Sequence, residues 1–230
     1  MVVGKGLLAR AFSRFRDEDG VVVFASGVSN SLEVDPEPFT RERQLLMRTR
    51  AENPEKLLVY FGTCSVDDPE RRDTPYVAHK LALEKALAAC SGPWLVLRLP
   101  LAIGPGQRGP TLAQFLHDRI VRGENFEVWR HASRYPIDVD DAVRIAERFI
   151  RDPRSQNRII NVALRAFPVV EFVRTMERIL GRKASYSIAE KGAHYRISCP
   201  EVESVAHELN LDFSDQYLER VLRKYFGTTQ

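Results

Sequence analysis

Short apolar runs alternate with helical segments along the first hundred residues of this chain. Val21–Ala25 and Leu57–Phe61 are continuously apolar, and Trp94–Leu99 is interrupted only by Arg98. Strands that are covered by helices on both faces have this composition, because neither face meets water. The alternation therefore predicts an α/β fold with a parallel, doubly wound sheet and helices on both faces.

Length and charge exclude several classes of protein. The 230 residues suffice for one large domain, or for one domain with a small appendage. A net charge of +3, from 34 basic and 31 acidic residues, is too small and too evenly spread for a nucleic-acid-binding protein. No apolar run reaches the roughly 18 residues that a membrane span requires. We therefore expect a globular protein with neither nucleic-acid nor membrane partners.

The cysteines and the first residues indicate the compartment. Cys64, Cys90 and Cys199 are odd in number and form no CxxC pair, which fits reduced cytosolic thiols better than disulfides or a zinc site. Met1 is followed at once by an apolar strand, Val2–Val3, which argues against a cleaved signal peptide. We expect a cytoplasmic protein without a bound metal.

A glycine turn follows the first strand. Gly4-Lys5-Gly6-Leu7-Leu8-Ala9 lies where this strand would enter a helix that extends to about Arg16. Such a turn lets the backbone approach a pyrophosphate, and the helix N-terminus attracts its charge. Taken alone the pattern is a weak signal, because glycine turns after strands are common. Lys5 could contact a phosphate or remain a solvated surface lysine.

Tyr76 and Lys80 stand four residues apart near the start of a predicted helix, so their side chains share one face. A nearby ammonium favours the ionised phenolate, which makes a tyrosine a usable general base. Thr63 ends the preceding strand, at the sheet edge where doubly wound folds bind ligands. Although Tyr-x-x-x-Lys is a common spacing on surface helices, none of the other six tyrosines has it. The three residues predict proton transfer coupled to hydride transfer.

Neighbouring polar residues are given other roles. His79 is predicted to face away from the Tyr76–Lys80 pair as a surface histidine. Cys64 has no histidine partner in sequence and is predicted to be a packing residue. Asp138, Asp140 and Asp141 stand where a helix begins, so N-capping explains them better than a metal site does.

Together these segments resemble the extended short-chain dehydrogenase/reductases, and among them the NAD-dependent epimerase/dehydratase family that modifies nucleotide sugars. Five segments carry the resemblance in collinear order: Val22–Gly27, Leu58–Val66, Pro75–Lys80, Arg98–Gln107 and Arg134–Asp141. The resemblance implies a Rossmann-like domain in residues 1–104 and a mostly substrate-binding α+β portion in residues 105–230. A strand and a helix around residues 136–165 would return to the first domain.

The resemblance also implies site residues. Thr63, rather than Ser65, takes the catalytic position when Val66 is aligned with the family's valine, and Tyr76 and Lys80 are the other catalytic residues. The implied cofactor contacts are Gly4, Lys5, Gly6, Leu7, Leu8, Ala9, Ala25, Ser26, Gly27, Lys80, Pro100 and Ile103. The implied substrate contacts are Ser65, Gln107 and Arg134, of which the arginine would pair with a substrate diphosphate.

The chain departs from the family in one major respect. Only Asp17–Gly20 separates the first helix from the strand-four-like segment, so the sheet is predicted to lack strands two and three and much of the adenosine site. The first strand then becomes a sheet edge, which we expect another segment or a second subunit to cover. The glycine turn is also one residue shorter than usual, and Pro100–Leu101 replaces a frequent substrate-binding asparagine.

The leading hypothesis is an NAD(P)-dependent enzyme acting on a nucleotide sugar. Epimerase or reductase activity is favoured over dehydratase activity, because Cys64–Ser65 stands where a dehydratase carries carboxylates. NAD and NADP both stay open as cofactors, and Lys5 slightly favours NADP. The family's habit of pairing two helices suggests a homodimer through Pro38–Glu52 and Tyr76–Cys90. The missing strands motivate the alternative of a non-catalytic relative that binds a nucleotide or a protein partner.

Overall fold

The computed structural model describes residues 1–106 and 111–227. Strands and helices follow one another as β1 (Val2–Val3), α1 (Leu7–Ala11), β2 (Val21–Phe24), α2 (Pro36–Glu52), β3 (Leu57–Thr63), α3 (Pro75–Ala88), β4 (Trp94–Leu99), β5 (Leu101–Ile103), α4 (Leu112–Arg122), β6 (Phe126–Trp129), β7 (Ser133–Arg134), β8 (Pro136–Asp138), α5 (Val139–Arg151), β9 (Arg158–Asn161), β10 (Phe167–Pro168), α6 (Val169–Leu180), β11 (Tyr186–Ala189), α7 (Pro200–Glu208) and α8 (Tyr217–Phe226). Short 3₁₀ turns occupy Ser13–Phe15, Cys64–Asp67 and Pro153–Ser155.

The central sheet has five parallel strands in the order β1-β2-β3-β4-β9. Val2 pairs with Val23 across the β1–β2 ladder, and Val22 pairs with Leu58 across the next one. Strand β1 lies directly beside β2, so within the described residues no strand stands between them, as the short Asp17–Gly20 turn predicts. The Rossmann-like, truncated α/β sheet is therefore confirmed.

Helices cover both faces of this sheet, as the apolar strands predict. Val23 and Val59 face a core shared with Phe12 and with Phe149 of α5. The alternate strand residues, such as Val22, face a second core under α2 and α3. Successive strand side chains point to opposite faces, so a strand buried on both sides must be apolar throughout.

The first helix is shorter than predicted. It ends at Ala11, and a 3₁₀ turn that places Phe15 in the core follows it. The amino group of Met1 donates hydrogen bonds to the carbonyls of Phe15, Glu18 and Val21 at 2.8, 3.1 and 2.9 Å. These contacts hold the segment after Ala11 against the start of the chain, and in this arrangement Phe15 lies in the core.

Strand β1 forms one edge of the sheet, as predicted. Within residues 1–106 and 111–227, β1 pairs with β2 alone, so no strand of the described chain covers its outer side. The later strands pair elsewhere, and coverage of this edge by another segment stays a prediction. Coverage by a second subunit stays a prediction.

The later part of the chain forms a separate apolar core. Helices α4, α6 and α8 pack around Phe172, Met176 and Leu222. The small ladders β5–β8, β6–β11 and β7–β10 complete the α+β portion. Asp138 accepts a hydrogen bond from the Asp140 N–H at 2.9 Å and so caps α5, as predicted. The domain boundary at residue 104 stays a prediction.

Two classes of feature are absent from the part of the chain that the structure describes. None of its helices combines the length and the apolar composition needed to cross a membrane. No group of three or more His, Cys, Asp or Glu side chains there is arranged to hold a metal ion.

Candidate active site

A cleft of about 1000 Å³ opens at the carboxyl edge of the parallel sheet, between the sheet and the C-terminal portion. Thr63, Tyr76 and Lys80 all line this cleft. The crossover connections of a parallel sheet bring successive strand ends and helix starts to one edge, which explains their convergence. The structure thus brings together the three residues that the sequence singles out for catalysis.

The other predicted site residues divide into three groups. Gly6, Leu7, Leu8, Ala25, Gly27, Ser65, Pro100 and Arg134 also line the cleft. Gly4, Lys5, Ala9, Ser26 and Ile103 are not among its lining residues, and Ala9 and Ile103 are fully buried. Gln107 lies outside the described residues. The cofactor and substrate roles assigned to all of these residues stay predictions.

Gly4 has a structural reason of its own to be glycine. Its φ of +126° is a backbone conformation that side chains disfavour, and an added Cβ would lie 2.3 Å from the carbonyl oxygen of Ala25. At Gly6 an added Cβ would meet nothing within 4 Å, so the second glycine of the turn borders open space in the cleft.

Thr63 is the last residue of β3 and is buried. Its Oγ1 accepts a hydrogen bond from the backbone N–H of Ser65 at 3.1 Å, which caps the 3₁₀ turn that follows. Because the hydroxyl oxygen is used as an acceptor, its proton can be donated to a ligand in the cleft.

Tyr76 lies in the first turn of α3 and is 8% exposed. Thr74 caps this helix by accepting a hydrogen bond from the Val77 N–H at 3.4 Å. Among the described residues the Tyr76 hydroxyl has no hydrogen-bond partner, and the side chain borders the cleft. The hydroxyl is therefore available to a ligand.

Lys80 is held by two acceptors. Its Nζ lies 2.9 Å from Glu42 Oε1 and 3.4 Å from the carbonyl oxygen of Phe61. The same Nζ lies 5.8 Å from the centre of the Tyr76 ring. An ammonium has three N–H groups, so one remains for a ligand in the cleft.

Glu42, a residue of α2, is fully buried and was not found from the sequence. It also accepts hydrogen bonds from the Val28 N–H and the Tyr60 hydroxyl, each at 2.8 Å. Burial opposes its charge, but the contacts with His79, Lys80 and Val28 outweigh burial and lower the pKa of Glu42 to about 2. One signal was present in the sequence, since Glu42 lies three and four residues from the inward-facing Phe39 and Leu46.

The prediction that His79 is a surface residue is wrong. Its side chain is only 10% exposed, and its Nε2 lies 3.0 Å from Glu42 Oε2. Its ring also stacks on Phe39, with 4.5 Å between ring centres. The reason is tertiary, because α3 packs against α2 and turns this side of the helix away from water.

Cys64 is a packing residue, as predicted. It is buried, and its thiol donates a hydrogen bond to the carbonyl of Arg98 at 3.1 Å. Burial raises the pKa of this thiol, so the nucleophilic thiolate is disfavoured.

A second polar cluster, formed by Asp68, Arg71 and Arg134, also lines the cleft. The guanidinium of Arg134 lies 3.4 Å from Asp68 Oδ2, and that of Arg71 lies 4.0 Å from the same oxygen. Arg71 also donates to Ser31 Oγ at 3.0 Å. Burial, with the nearby positive charge of Arg134, lowers the pKa of Arg71. Two guanidinium groups share one carboxylate, so the cluster carries an excess positive charge that suits an anionic ligand.

The sequence identified Arg134 but missed Arg71. Its partner Ser31 is 40 residues away in the chain, so only the fold brings the two together. The available signal was weak, since Arg71 is one of several charged residues in the loop before α3.

Another buried ion pair fixes α3 to the sheet. Arg98 contacts Glu84 through two hydrogen bonds, Nε to Oε1 at 2.9 Å and Nη2 to Oε2 at 2.6 Å. Gly62 leaves room for this pair, because an added Cβ would lie 2.5 Å from Glu84 Oε1. The pair links α3 to β4 at Glu84, and neither residue contacts Tyr76 or Lys80 through a hydrogen bond or an ion pair among the described residues.

Known structures share this fold. The UDP-glucose 4-epimerase of Thermus thermophilus, determined with NAD, has a TM-score of 0.69 at 17% identity, over 96% of this chain and 82% of that one. The UDP-N-acetylglucosamine 4-epimerase of Methanobrevibacter ruminantium, with UDP-N-acetylmuramic acid, has a TM-score of 0.70 at 16% identity, over 93% and 78%. The UDP-glucuronic acid 4-epimerase of Bacillus cereus, with UDP-glucuronic acid and NAD, has a TM-score of 0.69 at 15% identity, over 93% and 76%.

Sequence comparison identifies the family. No curated protein matches the chain significantly. The model of the NAD dependent epimerase/dehydratase family matches residues 4–163, a range that contains Thr63, Tyr76, Lys80 and four of the five sheet strands. Because this match spans well over half of the chain, the protein belongs to the NAD dependent epimerase/dehydratase family.

Proposed function

We propose that this protein is an NAD(P)-dependent enzyme of the epimerase or reductase type that acts on a nucleotide-activated sugar. The convergence of Thr63, Tyr76 and Lys80 on one large cleft carries the proposal. Family membership supports it, as do relatives of the same fold that were crystallised with NAD and with UDP-sugars.

The cleft fits the nicotinamide half of a dinucleotide. Open space beside Gly6 can receive a pyrophosphate, and Ala25 and Gly27 line the cleft at the end of β2, where a nicotinamide ring would lie. Lys80 retains one N–H for a ribose hydroxyl. When bound, NAD(P) would accept or supply the hydride. The choice between NAD and NADP stays open, since Lys5 is exposed and does not line the cleft.

The side chains have distinct roles in this proposal. Tyr76 takes a proton from a substrate hydroxyl or returns it, and Thr63 donates a hydrogen bond to the same substrate oxygen. The ammonium of Lys80 adds positive charge near the phenol. Arg134 and Arg71 bind the diphosphate of the nucleotide sugar, because paired guanidinium groups suit two neighbouring phosphates.

A direct titration tests the proposal. NADH and NADPH are added to the protein and followed by fluorescence, with and without UDP-glucose, UDP-N-acetylglucosamine or UDP-glucuronate. We expect micromolar binding of at least one dinucleotide. A Tyr76→Phe variant should bind it equally well and lose at least about 100-fold in turnover, the usual contribution of a general acid-base residue.

The alternative function is a non-catalytic relative that binds a nucleotide or a protein partner. This alternative is favoured by the absence of two family strands from the described residues, because those strands would form much of the adenosine site. No dinucleotide binding at millimolar concentration, in folded protein free of bound nucleotide, would support this alternative and contradict the proposal. The homodimer through α2 and α3 stays a prediction, which the mass measured by light scattering would test.

A further inference from the structure

Glu42 is a buried carboxylate next to the cleft that the proposed chemistry does not use. Four donors converge on it: the Val28 N–H, the Tyr60 hydroxyl, His79 Nε2 and Lys80 Nζ, at 2.8, 2.8, 3.0 and 2.9 Å. Each oxygen accepts two of them. A fully buried charge costs free energy unless it is paired and hydrogen-bonded. The donors that satisfy Glu42 come from the segment after β2, from β3 and from α3, so these elements must pack together around it.

Gly27 shows how closely this pair approaches the cleft. An added Cβ at Gly27 would lie 2.7 Å from Glu42 Oε1 and 2.8 Å from Lys80 Nζ. Gly27 itself lines the cleft just beyond the end of β2. The ion pair therefore lies directly behind a strand end that a bound nicotinamide would approach, and only glycine leaves room for it.

The contacts restrict the Lys80 side chain. Lysine is flexible, and an unpartnered ammonium would sample many rotamers. Here Glu42 on α2 and the Phe61 carbonyl on β3 hold the ammonium from two directions. The ammonium also lies 5.1 Å from the centre of the Tyr60 ring. Because the side chain is only 4% exposed and borders the cleft, the cleft is the side on which its remaining N–H can meet a ligand.

We propose that Glu42 is a positioning residue that holds the Lys80 ammonium in place, so that its third N–H is presented to the ribose hydroxyls of the dinucleotide. This inference rests on the proposed function. Glu42 does not touch the cleft and acts only through Lys80, and His79 and Tyr60 in turn hold the carboxylate.

The test compares Glu42→Gln with Glu84→Gln. Both substitutions neutralise a carboxylate that is almost completely buried and paired with a cation, but Glu84 contacts Arg98 rather than Lys80. The first readout is the Lys80 ammonium signal in a ¹H–¹⁵N spectrum of the unliganded protein, assigned with Lys80→Arg. We expect a resolved signal in the wild type and in Glu84→Gln, and its loss through exchange broadening in Glu42→Gln.

The second readout is the dissociation constant of NADH or NADPH, whichever the wild type binds. We expect Glu42→Gln to weaken binding at least fivefold and Glu84→Gln to change it less than twofold. A persistent Lys80 signal in Glu42→Gln, an affinity within twofold of the wild type, or equal weakening in both variants would overturn the proposal.

If Glu42→Gln does not fold, His79→Ala removes one of the groups that hold the carboxylate from a helix position where alanine is well tolerated. We then expect a broadened Lys80 signal and a two- to threefold weaker dinucleotide affinity, and no change in either would overturn the proposal. A wild type that binds neither dinucleotide would contradict the proposed function itself, and that result is known before any variant is made.

Discussion

Glu42 Oε1 lies 2.9 Å from Lys80 Nζ, and both side chains are almost completely shielded from water. A buried ion pair is weak evidence for net stability, because desolvation offsets much of the attraction. It does, however, make the protein sensitive to the loss of either charge, and this sensitivity can be measured.

Acid should destabilise the protein through Glu42. Its pKa is about 2 in the folded protein, against an ordinary value of 4.5, so the unfolded chain binds more protons at intermediate pH. The stabilisation is complete above about pH 5 and is lost as the pH falls towards 2, with an amplitude on the order of 3 kcal/mol. The measurement is the free energy of unfolding in urea, from pH 6 to pH 3. The difference in this free energy between the wild type and Glu42→Gln should become smaller as the pH falls. A gap independent of pH would contradict an ionised Glu42.

The two glycines of the first turn should separate folding from binding. Gly4→Ala introduces strain at a φ of +126° and a clash with Ala25, so we expect a loss of at least about 2 kcal/mol in the free energy of unfolding. Gly6→Ala meets no neighbour within 4 Å and should change stability by less than about 0.5 kcal/mol. It should nevertheless weaken NADH binding about tenfold, because its methyl group enters the predicted pyrophosphate site. Unchanged NADH binding in a stable Gly6→Ala protein would show that the pyrophosphate does not bind beside Gly6.

Arg71 should contribute to nucleotide-sugar affinity. Arg71→Gln removes a positive charge from the cluster with Asp68 and Arg134, so we expect UDP-glucose to bind about tenfold more weakly by calorimetry. The control is Arg72→Gln, because the Arg72 side chain is 61% exposed and its only ion pair within the described residues is with Asp73. Equal effects of the two substitutions would indicate a general loss of charge instead of a specific contact.

Thr63 should affect turnover more than binding. Thr63→Val keeps the shape of the side chain but removes the hydroxyl, so kcat should fall about 10- to 100-fold while the NADH dissociation constant stays within twofold. Thr63→Ser keeps the hydroxyl and should retain most of the activity. Equal kcat values for the valine and serine variants would exclude the hydroxyl from the reaction.

The sequence predicted well those features that depend on neighbouring residues. The bounds of β4 and the start of α5 agree with the structure, because apolar runs and helix-capping residues are local signals. The position of Thr63 at a strand end and the shared face of Tyr76 and Lys80 follow from the same local geometry. The short Asp17–Gly20 turn was enough to predict that β1 pairs directly with β2.

Features that depend on distant partners were missed or wrong. Glu42 and Lys80 are 38 residues apart, and no spacing rule links a residue of α2 to one of α3. For the same reason His79 was wrongly placed on the surface, and Arg71 was not recognised beside Arg134. In each case the deciding contact arises only when two elements pack together.

By itself, then, the sequence determined the layers of the fold, the place of the first strand at a sheet edge and the three residues expected to carry the chemistry. Helical periodicity, apolar runs and strand ends are properties of consecutive residues. Only the tertiary structure decided how those residues are held. The packing of α2 against α3 buries Glu42 beside Lys80, and the fold brings Arg134 to Asp68 at the cleft. In the unfolded chain water solvates these charges. Once folding buries them, an unpaired charge costs free energy, so each one needs a partner from another part of the chain.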